Sequence, residues 1–557
     1  MTDAGRTQSQ LYLVIGGQPA EPELMRDLER VTVESSLHLP DVATLTIHDP
    51  ALRWVDSALF EPGATLKVRA RVGGDEADLF DGEVAGGEPE FAGPAPRVGG
   101  RPFARLHRLA RGRAARAFVN VTDAELVRKL ADEVGLEARV GPATSELYQH
   151  VMQANESGLA FLQRRAAALG YLLYVESETL CCVPPGRRGP PLSLAWGDTL
   201  IEFRPRMTTV GQVARVLVRG WDPRAKRPVL GVAAASAIAP EVGRAHPAGG
   251  RHGGEVAERA FRLPAELLVA DRPVHSQSAA ETLAQAVADQ RGGQFVEAEG
   301  LCRGLPALVA GARVAIGAVG ERFGGTYFVT GATHTSDSDG AYTTTFSISG
   351  LSPATLLSLL VAAPGDAPAG GLAIGVVSDN QDPEGLGRVR LSFPWLNPDV
   401  AGGWARVVAA GAGDGRGLQF LPEVGDEVLV GFELGDVHTP YVLGGLWNGL
   451  DRPPLATAEA VEGEVRRRVI RSRSGHAILL DDGPGGGVTV SDRRGNAITL
   501  SSADGAVRIE AAGELRLRAG AGLSVEAAGK VEIAGQGVTV NGKSATVDIS
   551  ASLINLN

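Results

Sequence analysis

The sequence predicts a mainly β protein with a few helices, a small β-barrel in its second half and a strand-built repeat at its end. Three observations carry that prediction. Over residues 488–557, apolar pairs two apart recur at a near-constant step: Val488/Val490, Ile498/Leu500, Val507/Ile509, Leu515/Leu517, Leu523/Val525, Val531/Ile533, Val538/Val540, Val547/Ile549 and Ile554/Leu556. Residues 372–450 carry five apolar runs separated by turn residues. Gly 73 against an aromatic content of 5% marks a turn-rich chain with small side chains at its corners.

The repeat is taken first. Between the first members of the pairs the steps are 10, 9, 8, 8, 8, 7, 9 and 7. Within a pair the intervening residue is polar (Thr489, Arg508, Arg516, Ser524, Glu532, Asp548), which is strand alternation with one buried face. Gly505, Gly513, Gly520, Gly529, Gly535 and Gly542 fall between pairs, where a corner needs a residue tolerating positive φ. A short strand-plus-corner period is the signature of a β-helix. At about 3.3 Å per residue, eight residues supply one side of a triangular coil. A full coil therefore takes three consecutive repeats of one chain or one repeat from each of three chains, and the period alone leaves both open.

Upstream, residues 1–361 read as strands with helical insertions. Leu11–Ile15, Val31–Leu39, Ala43–His48, Thr65–Val72 and Ala104–Arg108 alternate in part and are read as strands. A helix is predicted between Asn120 and Gly135, with Thr122 and Glu125 as capping box. A second starts near Asn155–Ser157 and stops at Gly170, and a hairpin pairs Tyr171–Glu176 with Thr179–Val183. A third covers Ser278–Gln290, with Ser278 and Glu281 read as its capping box. Residues 362–371 (AAPGDAPAGG) form a linker. The five runs Leu372–Val377, Gly387–Phe393, Trp404–Val408, Glu427–Glu433 and Pro440–Leu446 suit a Greek-key barrel of the OB type over 372–450. Residues 451–475 are a polar connector, and 476–557 are the repeat domain.

A net charge of −11 and a pI near 5.5 argue against nucleic acid as the partner. No apolar run is long enough for a membrane span. The start, MTDAGRTQSQ, lacks a secretory pattern, and three cysteines make no disulfide framework, so synthesis in a reducing bacterial cytoplasm is expected.

Chemistry-bearing motifs are weak. Gly537 to Ser544 matches GxxxxGK[ST], but Val538 and Val540 make its middle a repeat strand where a P-loop needs a phosphate loop opening a helix. The stretch Gly411–Gly417 fails the dinucleotide pattern through Arg416 and is read as a loop of the barrel. The histidines show no metal spacing, and none follows His476. Cys181–Cys182 are read as neighbouring strand residues and Asp481–Asp482 as a solvated corner, while Asp382, Glu384, Asp426 and Glu427 are candidates for paired acid chemistry, which the resemblance given below turns into turn and strand residues. No catalytic, cofactor or metal site is assigned. The twenty-five-residue connector leaves no room for an inserted lysozyme, and no stretch remains for a catalytic domain.

The barrel region resembles the OB domain of VgrG proteins and phage baseplate spikes. Gly375–Val377, Asp382–Pro383, Gly387–Arg390, Phe393–Trp395, Trp404–Val407, Phe420–Val428, Phe432, Gly435–Asp436, Pro440–Val442 and Gly444 carry the likeness. Leu106–Leu109, Tyr148–Gln149, Gln153–Ser157, Phe161–Leu162, Gly170–Tyr171, Gly304–Pro306 and Gly325–Val329 resemble the phage hub and late-control-D family. Leu39–Pro40, Leu45, His48–Asp49, Trp54 and Phe60–Gly63 are more similar to the spike of extracellular contractile injection systems than to type VI VgrG.

The resemblance implies a homotrimer: a hub of two barrel-like domains over 1–361, matched to a hexameric inner tube, then the OB barrel and an intertwined triple-stranded β-helix needle. The repeat thereby takes the three-chain reading. The trimer core is expected at Val488, Val490, Ile498, Leu500, Val507, Ile509, Leu515, Leu517, Leu523, Val525, Val531, Ile533, Val538, Val540, Val547 and Ile549. Contact with a PAAR-type tip protein is expected at Leu553, Ile554, Leu556 and Asn557. Inner tube, baseplate proteins and cargo or effectors complete the implied partners, with a target membrane met only on firing. Type VI VgrG or a prophage hub is the alternative within this machinery. An enzyme with a single-chain β-helix, a polysaccharide-degrading tailspike, is the alternative outside it.

Overall fold

Alternation of apolar and polar residues builds the first sheet directly. In the strand Val42–His48 the inward residues Ala43, Leu45 and Ile47 are fully buried while their neighbours are half-exposed. The computed structural model describes residues 10–351 and 371–555, apart from 73–74, 94, 143–145, 187, 235, 237, 244–251, 339–341 and 543–545. It divides into Met1–Asn448 and Gly449–Asn557. The expected linker at 362–371 lies almost wholly outside the described residues.

In the first unit an 11-stranded sheet joins the two ends of the hub region. Leu28–Ser36 pairs antiparallel with Gly331–Asp337, Gly331 opposite Ser36 and Asp337 opposite Arg30. One core under this sheet gathers Leu11, Leu45, Leu66, Val68 and Phe80 from the early strands. A second gathers Phe295, Val314, Tyr327 and Phe346 from the late ones. Between them in sequence lies a small α/β insertion. Its helices Asp123–Glu133 and Gly158–Leu169 pack Leu126, Leu130, Phe161 and Leu162 against the hairpin Leu172–Glu176/Thr179–Val183.

Helix ends follow local chemistry. Thr122 and Glu125 form the expected capping box, and Gly170 ends the second helix in the left-handed region at φ 68°. The third helix, Gln277–Gly292, is capped two residues earlier than expected. Ser276 Oγ accepts from Ala279 N at 3.1 Å, whereas Glu281 accepts from Gln277 Nε2 at 2.8 Å. Ala104–Arg108 is corrected too. A strand ends at Ala104, and Arg105–Ala110 is a 3-10 turn because Leu106 and Leu109, three apart, both face the core.

Residues 373–445 close a five-stranded barrel in the order Ala373–Asp379, Arg388–Phe393, Asn397–Val407, Pro440–Gly445, Glu427–Phe432. Val377, Val389, Leu391, Ala405, Val428, Val430 and Val442 fill it, and Met152 of the insertion completes that core. Ala412–Gly413 and Arg416–Gly417 pair as a short hairpin, so the Gly-rich stretch holds a small ladder.

In the second unit the connector is more structured than its composition suggests. Arg467–Arg471 is the first strand of a five-stranded antiparallel meander continued by Ala477–Asp481, Gly487–Ser491, Ala497–Ser501 and Val507–Glu510. Beyond Glu510 no strand occurs among the described residues.

Candidate functional site

The meander of the second unit is held by aspartate–glycine turns. Asp492 Oδ1 accepts from Arg494 N at 2.8 Å and Asn496 N at 2.9 Å, with Gly495 at φ 90°. Asp504 Oδ1 accepts from Ala506 N at 3.2 Å, with Gly505 at φ 65°. At Gly487 a Cβ would stand 1.9 Å from Leu500 O, so that strand start admits only glycine. Gly513, Gly520, Gly529 and Gly535 stay outside the left-handed region, which corrects the expectation that these corners need positive φ.

Register then places the apolar pairs on one face. Ile470, Ile478, Val490, Ile498 and Ile509 stand opposite one another across the five strands. Leu480, Val488, Leu500 and Val507 form a second row beside them. Val488 is half-buried and the others run from 40% exposed at Ile478 and Leu480 to 65% at Val507, so nothing described in the same chain fully covers this face. The other face carries Val469 and Leu479, then Thr489, Thr499 and Arg508 between the pairs, with Arg467 Nε 2.7 Å from Asp481 Oδ2 at one end.

The sixteen expected core residues therefore fall into two groups. Val488, Val490, Ile498, Leu500, Val507 and Ile509 lie on the meander, and their steps of 10 and 9 are those of hairpins. Within the chain they pair antiparallel across that meander. Leu515, Leu517, Leu523, Val525, Val531, Ile533, Val538, Val540, Val547 and Ile549 lie on chain without ladder partners, 46–76% exposed. A single chain closes no coil there. Ile470, Ile478 and Leu480 extend the face and were missed, although Ile478/Leu480 has the same two-apart spacing. Of the expected tip residues Leu553 and Ile554 are exposed, while Leu556 and Asn557 lie outside the described residues.

In the first unit the barrel is anchored to the insertion. His438 Nε2 donates to Met152 O at 3.0 Å, with Nδ1 2.7 Å from Asp436 Oδ1. Asn397 Nδ2 donates to Ala115 O at 2.8 Å, and Arg224 Nη2 reaches Glu384 Oε1 at 2.8 Å.

The carboxylates weighed for acid–base work are structural. Asp382 is 4% exposed and accepts from Arg388 Nη2 at 2.7 Å, Arg388 Nε at 3.0 Å and three backbone N–H groups. The Arg388 guanidinium holds its carboxyl well below the usual range. Asp426 Oδ2 accepts from Glu423 N at 2.8 Å. Asp481 and Asp482 are paired with Arg467 and Arg468. Burial pushes the thiols of Cys182 and Cys302 up to about 12, far from the thiolate chemistry needs. Among the described residues no three His, Cys, Asp or Glu groups gather to hold a metal, and no helix is long and apolar enough to cross a membrane. Of the P-loop-like stretch, Lys543 and Ser544 lie outside the described residues, and Gly537–Asn541 is exposed chain with no helix.

Known proteins match the hub region and the barrel. The type VI secretion system/phage-baseplate injector OB domain matches residues 373–447, the closed barrel. The Alg8 N-terminal domain matches residues 15–337, more than half of the chain. The type VI secretion system spike protein VgrG2a of Pseudomonas aeruginosa is 25% identical over 122 residues, 21% of this chain and 14% of its own length. VgrG3 of Vibrio cholerae is 29% identical over 97 residues, 17% of this chain and 10% of its own. The chain thus aligns with only about a seventh of these relatives or less. In fold, the Francisella PdpA–VgrG complex in its lidded form superposes with a TM-score of 0.52 at 9% identity, covering 87% of this chain and 76% of that one. The lidless complex gives 0.51 at 9% identity over 91% and 99%. With residues 15–337 matching one family model and the barrel another, the chain belongs to the Alg8 N-terminal-domain family and carries a barrel of the type VI secretion system/phage-baseplate injector OB kind.

Proposed function

We propose that this protein is the structural hub and spike of a contractile injection system, working as a homotrimer and catalysing nothing. The observation that carries this reading is the uncovered apolar face of Arg467–Glu510 and the exposed pairs that follow it. Each such side chain, already about half covered, gains on the order of 1 kcal/mol when the rest is buried. Three chains facing one another supply the missing walls. The likeness of the barrel to injector OB domains supports its place as a collar above the needle.

In this reading the hub adapts a hexameric inner tube to threefold symmetry, and baseplate proteins grip it. A PAAR-type protein caps the end near Leu553 and Ile554. Contraction of a sheath drives the needle into a target envelope, and cargo travels with it. Assembly takes place in the bacterial cytoplasm, and the scattered likeness of residues 39–63 to extracellular particles favours release in such a particle. The test is the mass of the purified chain in solution. About three times 57.9 kDa is expected, and a stable monomer overturns the reading.

A further inference from the structure

A cavity of about 790 Å³ opens inside the hub, between the early strands, the α/β insertion and the loop at 306–312. Its volume lies within the range of ligand sites. Two strand edges line it. The stretch Ala77–Asp81 of the long strand Asp75–Glu90 pairs with Thr65–Val72 on one side. Its other neighbour, Arg97–Ala104, reaches back only to Gly82, so among the described residues this stretch has no ladder on its second side. Across the cavity lie Tyr174–Ser177, where Leu172–Glu176 pairs with Thr179–Val183 alone. Arg105 closes one end, its Nη1 2.9 Å from Asp81 Oδ1 and 3.5 Å from Ser177 O.

The lining is acidic. Asp41, Asp78, Asp81 and Glu176 face Arg139 and Arg188. Both arginines are committed to Glu176, Lys67 and Arg105 hold Asp81, and Arg69 Nε is paired with Asp78 Oδ1. Asp41 accepts from Ser36 N at 3.1 Å, with no cation within ion-pair distance among the described residues. We infer that this cleft receives an extended, basic segment of a partner protein, which adds as a strand to the open edge at Ala77–Asp81 and sets a cationic side chain against Asp41. Five residues of open edge offer about 17 Å of ladder. Edges left open inside a cleft are shielded from the edge-to-edge aggregation that exposed ones invite.

The test uses the full-length protein and a fluorescein-labelled heptapeptide of alternating valine and lysine. One control peptide carries glutamate for lysine; a second is the lysine peptide N-methylated at alternate amides, which cannot pair as a strand. Saturable anisotropy is expected for the lysine peptide, with both controls weaker by about tenfold or more. Asp41→Asn and Ala77→Trp, one removing the charge and one filling the slot, should each weaken it by about tenfold with circular dichroism unchanged. If either variant fails to fold, the other and the two control peptides still decide. Equal binding of the lysine and glutamate peptides, or binding that survives the folded variants, overturns the proposal. So does a photo-cross-linker at position 77 that joins two copies of this chain.

Discussion

At the scale of single residues, His334 is the most constrained titratable group in the hub. It is fully buried on Gly331–Asp337, its Nδ1 2.9 Å from Tyr342 Oη and 3.1 Å from Thr344 Oγ1. Burial pulls its pKa down to about 4, against a smaller upward pull from the Leu308 backbone. Between pH about 6.5 and 4 the unfolded chain therefore binds a proton that the fold refuses. Stability from this group is full above that window and falls as pH falls through it, by about 3 kcal/mol in all. Asp41 acts in the opposite direction. Burial pushes its carboxyl up to about 6, so acidification between about pH 6 and 4 favours the fold through that group. His334→Phe removes the first effect and leaves the second. Urea unfolding of the hub should show wild type losing stability from pH 7 to pH 4.5 while the variant stays level or gains. At pH 7 the variant should be weaker by about 1–3 kcal/mol, because two buried hydroxyls lose their partner. Equal acid loss in both proteins would count against this account.

At the scale of elements, the meander Arg467–Glu510 has one apolar face and one that is polar from Thr489 onward, so one substitution on each separates folding from assembly. Ile498→Asp sets a carboxylate in the middle of the apolar rows, where burial unpaired costs several kcal/mol per chain. Thr499→Asp changes the next residue, on the other face. Sedimentation should show Ile498→Asp losing the threefold mass with the hub still folded, and Thr499→Asp keeping it. Loss in both would mean that the sheet, and not its face, had been damaged. This element also shows what was legible in advance. The two-apart pairs located the face, and the steps of 10 and 9 already separated hairpins from the shorter spacing after Val507. Ile470 went unread because the surrounding arginines gave 451–475 the composition of a connector, and Ile478/Leu480 because Leu479 between them breaks the apolar–polar alternation. Helix stops and the Thr122 cap were legible because they are settled within four residues. The pairing of Leu28–Ser36 with Gly331–Asp337 was not, since a contact spanning about three hundred residues leaves no local periodicity. The cleft was invisible for the same reason: its walls come from stretches of chain as far apart as Asp41 and Ala312.

At the scale of the whole molecule, the division after Asn448 makes two truncations unequal. Ending the chain at Asn448 keeps every barrel strand, including Pro440–Gly445, which pairs with both Asn397–Val407 and Glu427–Phe432. Ending it at Gly475 keeps Arg467–Arg471 but removes Ala477–Asp481, the strand that pairs with it and supplies Asp481 to Arg467. The longer product therefore carries an unpaired strand with an exposed Ile470 and a run of uncompensated arginines, a substrate for proteases and for edge-to-edge association. Limited proteolysis should leave the 1–448 product intact and trim the 1–475 product back toward Asn448, while both unfold at the hub temperature of the full chain. Both should also lose the heat and detergent resistance expected of the intact trimer. Resistance of that kind is kinetic, because strands shared among chains must separate together before any one of them unfolds. If the 1–448 product kept it, the trimer would be held by the hub and barrel, and the apolar strands beyond them would need another purpose.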